Sequence, residues 1–322
     1  MKRIEFSSFG GPDVLQIVER DDLKPASGNV TIAVSYVGIG LIDALLRAGL
    51  MPLPMPFCPG LEVSGHIAEI GEGVGGFHVG QPVAALLLLN FAGYATQVEV
   101  PAVSVVPVEG KGVDLISAAA TIVNFATAYV LMHDIAPVGA QSAVMVHGAS
   151  GGLGTACVKM ARALGATNIV ATTSSPAKAD YLRDLGARPI VFDKDGELDL
   201  GEQRFDVIVD PVGGPLRQRS LPLLGHQGKL LLVGGADEEA DVALSSTSIW
   251  LNCVSVIGVN IGAISTADPP RVAAAAKEVF AMLNDGRLTA GPIDVLPFGN
   301  VAEAHRKLES KSVTGKLLLA VD

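Results

Sequence analysis

Basic charge and cysteine are both scarce in this 322-residue chain, and each scarcity excludes something. Lys and Arg number 23 against 33 Asp and Glu, and the net charge of −10 disfavours nucleic acid or an anionic membrane as the main partner. The three cysteines, Cys58, Cys157 and Cys253, are far apart and odd in number. No disulfide framework is expected from them, and reduced thiols in the cytoplasm fit better. No C-x-x-C, H-x-x-H or H-E-x-x-H spacing occurs, and the six histidines are scattered singly from His66 to His305, so no metal is expected. Met1–Phe6 lacks the apolar run of a signal peptide. The most apolar stretches, Ala84–Ala95 and Ala118–Met132, are each interrupted by an asparagine and are expected to fall short of a membrane span.

What is abundant is apolar: 49% hydrophobic residues against 17% charged, the balance of a well-buried globular enzyme. The length exceeds the usual single core and predicts two domains. The first hundred residues read as β-rich, with strands at Val30–Tyr36 and Val63–Ile70 and turns at Phe9–Pro12 and Gly71–Gly73. Asp114 to His133 suits buried helix. From Ala143 the texture alternates. Strands are predicted at Ala143–His147, Asn168–Thr172, Pro189–Phe192, Phe205–Asp210, Lys229–Val233 and Val254–Val259, with helices at Gly152–Leu164, Ala177–Leu185 and Gly214–Leu224. Such alternation predicts a parallel sheet covered on both faces, an α/β class. A helix at Pro270–Leu283 and a short ending with Val301–Leu308 and Lys316–Val321 have too little apolar surface for a domain of their own. They are expected to return to the N-terminal domain.

The chemistry-bearing motif is the turn Gly148-Ala149-Ser150-Gly151-Gly152-Leu153-Gly154, which follows a strand and opens a helix. It matches the dinucleotide fingerprint with alanine in first position. Gly151 lets the backbone approach a pyrophosphate, Gly154 lets the helix pack closely, and the helix N-terminus offers amide donors to the anion. A rival reading occupies the same residues. Gly148–Gly152 also satisfies G-x-S-x-G, the nucleophile elbow of α/β-hydrolases, with Asp210 and His226 following in order. That reading leaves Gly154 unexplained and lacks an upstream oxyanion motif. An NAD site places Asp or Glu at the end of the second strand, but no acidic residue occurs between Ser150 and Ala179. The second strand runs instead into Thr173-Ser174-Ser175-Pro176-Ala177-Lys178, hydroxyls and a cation suited to a 2′-phosphate. NADPH is the expected cofactor.

These residues, with Phe9–Leu15, Pro59–Gly65, Gly71–Val74, Gly93–Ala95, Asn124–Tyr129, Ala304–Arg306 and Thr314–Lys316, resemble the medium-chain dehydrogenase/reductase superfamily over nearly the full chain. Within it they resemble the zeta-crystallin-like NADPH:quinone oxidoreductases. The resemblance implies a GroES-like catalytic domain from residues 1–121 and 260–322, and an inserted Rossmann NADPH-binding domain at 122–259. It also implies an active site between the two and a homodimer paired through the cofactor-domain sheets. Where zinc alcohol dehydrogenases carry catalytic ligands, this chain has Gly40, Leu61 and Val123, and Val83–Gln97 lacks the structural-zinc cysteines. Without a Lewis acid, ordinary alcohol oxidation loses its main electrostatic aid.

Further site residues follow from the resemblance alone. Asn124 and Thr127 match the segment lining the nicotinamide pocket, and Ser174 and Lys178 the 2′-phosphate site, with Lys311 as a second cation. Val212, Val233 and Gly234 lie in loops over the cofactor, and Asn260 near the return to the catalytic domain. Asp43 and Tyr94 are candidates for touching substrate. The family often has asparagine at Gly40 and tyrosine at Met51. Their replacement implies an apolar pocket with Leu41, Met51, Met55 and Phe57, a hydrophobic acceptor and a proton delivered by solvent. The expected activity is zinc-independent transfer of hydride from NADPH to a quinone or conjugated enone. The alternatives are an alkenal or enoyl-thioester double-bond reductase, and a non-catalytic NADPH-binding structural or sensor protein.

Overall fold

The computed structural model of the protein describes residues 1–88, 90–192, 198, 200–235 and 241–321. Two compact units are present, Met1–Ala126 with Ile261–Asp322, and Thr127–Asn260. The first boundary falls inside a helix.

In the first unit β1 (Lys2–Glu5) pairs with β2 (Gln16–Glu19). There follow β3 (Asn29–Ile39), α1 (Leu41–Ala48), β4 (Glu62–Ile70), β5 (Pro82–Leu86), β6 (Gln97–Pro101), β7 (Val105–Pro107) and α2 (Leu115–Tyr129). Both β4 and β6 pair antiparallel with β3, whose Val30, Ile32, Val34 and Val37 enter the core. Val, Ile and Thr dominate these strands because their branched side chains pack well on a pleated surface.

α2 runs on as a π-helical stretch to Ile135, and Leu115–Ile135 is long and apolar enough to cross a membrane. This corrects the expectation that the stretch falls short. Its most apolar window is 72% buried inside the protein, so core packing accounts for its composition.

The second unit contains β8 (Ala143–Val146), α3 (Gly152–Ala163), β9 (Asn168–Thr173), α4 (Ala179–Asp184), β10 (Arg188–Val191), β11 (Phe205–Asp210), α5 (Pro215–Ser220), β12 (Leu224–Leu232), α6 (Ser246–Leu251) and β13 (Ser255–Gly258). Among the described residues these strands form one parallel sheet in the order β10-β9-β8-β11-β12-β13. Central strands such as Val144–Val146 and Val207–Val209 are buried along their length, as a sheet covered on both faces requires. β12 begins at Leu224 rather than at the expected Lys229. Its register to β11 shifts between Phe205 and Val207, where Gln227 takes φ 60°, a bulge that apolar periodicity does not reveal.

The chain then returns through α7 (Ile261–Ala267), α8 (Pro269–Asn284), β14 (Ile293–Pro297), α9 (Val301–Glu309) and β15 (Lys316–Ala320). β15 pairs antiparallel with β3 and parallel with β14, so the C-terminal strand completes the N-terminal unit's sheet. Leu317 and Leu319 join the same core as Ile4, Val37 and Tyr94.

Candidate functional site

In the second unit the strand order reverses between β8 and β11, the switch point at which open parallel sheets bind ligands beyond their carboxyl ends. The turn Gly148–Gly154 stands there. Gly148 has φ +56°, and the Ala149 amide donates to the Thr172 carbonyl of the next strand at 2.9 Å. Thr155 Oγ1 donates to the Ala149 carbonyl at 3.2 Å and receives the Tyr181 hydroxyl at 3.2 Å. These bonds fix the turn from below.

The glycines do different work. A Cβ at Gly154 would lie 2.3 Å from the Gly148 carbonyl oxygen and 2.6 Å from Ala149 Cα, so the close packing of α3 demands glycine. A Cβ at Gly151 would meet nothing closer than 3.4 Å, and that residue is exposed. The fold does not need glycine at Gly151, whereas an anion approaching the backbone does. Gly151 is the N-cap of α3, and the amides of Gly152, Leu153 and Gly154 belong to a first turn that has no intrahelical acceptors. The residues therefore fit a dinucleotide.

The end of β9 carries no carboxylate. Ser174 is exposed, Lys178 ends a short 3-10 turn before α4, and partial burial lowers the Lys178 pKa. Ser150 is buried with its hydroxyl 3.4 Å from Thr173 Oγ1. Below the turn, His147 is fully buried between Thr172 Oγ1 (3.0 Å from Nδ1) and Ser220 Oγ (2.8 Å from Nε2). Because the Ser220 hydroxyl donates to the Leu216 carbonyl, Nε2 carries the imidazole proton. Burial holds the His147 pKa down at about 4. Val212 follows β11, and Val233 and Gly234 follow β12.

The hydrolase triad does not assemble. Asp210 accepts from the Val212 and Gly213 amides at 2.8 and 2.9 Å and from Arg217 Nε at 3.1 Å. His226 is exposed near the start of β12, more than about 10 Å along the sheet from the end of β11 that holds Asp210.

In the first unit Gly40 caps α1 in extended backbone. Asp43 is 1% exposed, and its two oxygens accept from the Gly40 amide at 2.8 Å and the Gly60 amide at 2.9 Å. Burial raises its pKa to about 6, against the lowering effect of those two amides. Tyr94 is fully buried with its hydroxyl 3.0 Å from His305 Nε2. His305 is held down at about 3, first by burial and then by the Arg47 charge. Neither Asp43 nor Tyr94 reaches solvent.

Leu41 and Met51 are exposed, at 40% and 50%, and Met55 at 37%. Phe57 is a correction to the expected pocket: it is buried core, its ring 5.6 Å from Phe6 and 5.4 Å from Phe91. Asn124 and Thr127 are three residues apart on α2 and so share a face. Immediately before them, the Val123 amide donates to Glu62 Oε2 at 3.1 Å, and Lys316 Nζ pairs with Glu62 Oε1. This buried pair anchors the segment. Lys311 has φ 55° just beyond α9, and Asn260 ends the second unit.

Gly40, Leu61 and Val123 carry no metal-ligating group, and among the described residues no three His, Cys, Asp or Glu side chains gather to hold an ion. The donor set does not fit zinc. Sequence reasoning missed Arg217, His147 and Tyr181. Each acts on the turn or its neighbouring loops through partners that only the sheet brings near.

Known proteins resemble the chain at both levels. The family model described as alcohol dehydrogenase GroES-like domain matches residues 26–131, and that described as zinc-binding dehydrogenase matches 152–278. A probable quinone oxidoreductase of Schizosaccharomyces pombe is 30% identical over 324 residues, covering 98% of this chain and 96% of that protein. The solved quinone oxidoreductase of Escherichia coli complexed with NADPH matches with TM-score 0.90 and 25% identity, over 99% of this chain and 100% of that one. The CurK enoyl reductase shares the fold, with TM-score 0.88 and 24% identity over 100% of this chain and 99% of that one.

Proposed function

This chain belongs to the medium-chain dehydrogenase/reductase superfamily, among its quinone oxidoreductase-like members, and on that footing we propose that it is a zinc-independent, NADPH-dependent reductase of quinones or conjugated enones. The observation that carries the reading is Gly151: a glycine that the packing does not require, at the switch point of the sheet, beside a second strand whose end bears Ser174 and Lys178 instead of a carboxylate. The relative solved with NADPH supports the cofactor.

When bound, NADPH supplies the hydride. The chain's own residues then have separable tasks. Ala149 to Gly154 and the α3 first-turn amides hold the pyrophosphate. Ser174 and Lys178 take the 2′-phosphate. Thr127, Val212, Val233, Gly234 and Asn260 position the nicotinamide half. Gly40, Leu41 and Met51 bound an apolar substrate pocket, where orientation and water exclusion do most of the work. Asp43 and Tyr94 act from behind it as positioning groups, since both are buried and already bonded. Electron-poor acceptors need no Lewis acid, which agrees with glycine, leucine and valine at the three ligand positions.

The test is NADPH and NADH oxidation against a panel of quinones and enones with products identified, on wild type and Lys178→Ala. Quinol or saturated ketone formed with NADPH is expected. Lys178→Ala should weaken NADPH about tenfold more than NADH, the loss of a charge-assisted phosphate contact. Saturated thioester or saturated aldehyde products without quinol would move the assignment to a double-bond reductase. Tight NADPH binding with no oxidation by any acceptor would move it to a non-catalytic binder.

A homodimer belongs to the same reading. β13 is an edge strand, and the preceding α6 exposes Trp250 at 74% and Leu251 at 66%. Large exposed apolar side chains beside an open edge favour a second copy. Light scattering should give twice the chain mass, and Trp250→Glu should give a monomer.

A further inference from the structure

We propose that Arg217 is a positioning residue for the cofactor: its guanidinium ties the loop after β11 to the loop after β12 at the spacing the nicotinamide half of the dinucleotide occupies. The inference rests on the NADPH reading above.

Strand order assigns the half. The 2′-phosphate residues follow β9 and the pyrophosphate turn follows β8. Continuing across the sheet in the same direction, the next loops are those after β11 and β12. The rest of the dinucleotide must lie over them.

Those loops carry few side chains that could hold them together. Pro211-Val212-Gly213-Gly214 and Val233-Gly234-Gly235 are half glycine or more, with Gly213 at φ +91° and Gly214 at φ +61°. Such backbone is costly to order without tethers. The tether is a buried carboxylate and one guanidinium. Asp210, the last residue of β11, is fully buried and uses Oδ1 to accept from the Val212 and Gly213 amides. Its Oδ2 accepts from Arg217 Nε at 3.1 Å. Arg217 Nη2 then donates to the Gly234 carbonyl of the other loop.

The backbone is bare where the tether closes. A Cβ at Gly213 would lie 3.3 Å from both Arg217 Nη2 and Gly235 Cα, and one at Gly234 would lie 3.2 Å from the Pro211 carbonyl oxygen. The first loop also abuts the pyrophosphate turn, since a Cβ at Gly148 would meet Val212 Cγ2 at 3.1 Å. The guanidinium and the carboxylate it holds thus link the two loops, the first of which abuts the pyrophosphate turn. The two bonds leave from different nitrogens, Nε and Nη2, a spacing that lysine's single nitrogen does not reproduce. A residue that merely capped α5 would have no reason to reach Gly234.

The experiment measures dissociation constants of NADPH and of adenosine 2′,5′-bisphosphate for wild type, Arg217→Ala and Arg217→Lys, with thermal unfolding alongside. The bisphosphate probes the β9 side and the turn without reaching the β12 loop. Arg217→Ala should weaken NADPH about tenfold, the loss of hydrogen bonds from a charged donor, and leave the bisphosphate within about twofold. NADPH KM should rise accordingly. If Arg217→Ala does not fold, Arg217→Lys decides, because it puts one nitrogen in place of the Nε and Nη2 that make the two bonds. NADPH should still weaken severalfold at unchanged bisphosphate affinity. Equal weakening of both ligands, or NADPH affinity at the wild-type level in the folded variants, overturns the positioning role. Wild type that binds the bisphosphate but not NADPH, or neither, fails the cofactor reading itself and this inference with it.

Discussion

Two glycine-rich corners of this molecule use the missing side chain in opposite directions. In the second unit Gly151 leaves its open side toward solvent, and the nearest atom to an added Cβ is 3.4 Å away. In the first unit Gly38 and Gly60 open inward. A Cβ at Gly38 would lie 2.3 Å from Glu62 Cγ, and one at Gly60 would lie 2.7 Å from Tyr94 N. One corner leaves backbone bare on its open side, where we propose that the ligand approaches. The other keeps it bare so that a carboxylate and a phenol can be buried. A glycine is thus evidence of a site only when packing does not already account for it.

The comparison breaks most visibly at the inward corner. Glu62 and Lys316 are 3% and 7% exposed and joined as an ion pair. Lys316→Met leaves a buried carboxylate without its partner and should lower unfolding free energy by about 3–5 kcal/mol in urea titrations. Adding Glu62→Gln should recover most of it. A loss under 1 kcal/mol for the single change would mean that the pair does not hold the segment before Asn124.

Each unit also hides a neutral imidazole, and this sets the pH response. His147 and His305 have folded pKa values of about 4 and about 3, below the ordinary 6.5. Their stabilisation is complete above pH 6.5 and is lost as pH falls toward the folded values. Between pH 7 and pH 5 each should lose about 2 kcal/mol. Asp43 opposes them. Its folded value of about 6 lies above 3.8, so its term is present at low pH and lost as pH rises through 6, worth about 1 kcal/mol over the same interval. A net loss of about 2–3 kcal/mol at pH 5 relative to pH 7 is expected. A stability that is flat or rises on acidification would show that neither imidazole is held neutral.

How much of this is legible in the sequence follows from distance along the chain. The glycine turn is legible because the dinucleotide fingerprint is written in consecutive residues, so seven adjacent positions carry the signal. The alternation of strands and helices is legible for the same local reason. The inward corner is not. Asp43 meets Gly60 17 residues away, Tyr94 meets His305 across 211, and Glu62 meets Lys316 across 254. The resemblance alone names Asp43 and Tyr94 as candidates for touching substrate, but their burial comes from partners distant in the chain. Phe57 misleads likewise, since its partners Phe6 and Phe91 come from other segments.

The outward corner breaks by paired substitutions. Gly154→Ala drives a methyl against the Gly148 carbonyl and should lower stability by about 2 kcal/mol, with NADPH binding lost as the turn shifts. Gly151→Ala should leave stability within about 0.5 kcal/mol yet weaken NADPH more than about tenfold, because the methyl stands where the pyrophosphate approaches. Thermal unfolding and cofactor titration on both variants separate the two glycines. If Gly151→Ala binds NADPH as wild type does, the open side of the turn faces no ligand.

Gly40 gives the smallest effect and the finest test, because it lies at the inward corner but behaves like the outward one. Its φ of −115° and ψ of 156° suit any residue, and an added Cβ would meet Asp43 Oδ2 and Ile42 Cγ2 only at 3.5 Å. Packing does not ask for glycine there, unlike at Gly38 and Gly60. Gly40→Asn should therefore fold, and should gain about 0.5 kcal/mol from the stiffer unfolded chain and the better helix cap. If the pocket beside Leu41 and Met51 takes an apolar acceptor, the carboxamide should raise KM for alkyl-substituted quinones severalfold while KM for NADPH stays within about twofold. Unchanged KM values for both would place Gly40 outside the pocket, and its lack of a side chain would then have no bearing on the acceptor.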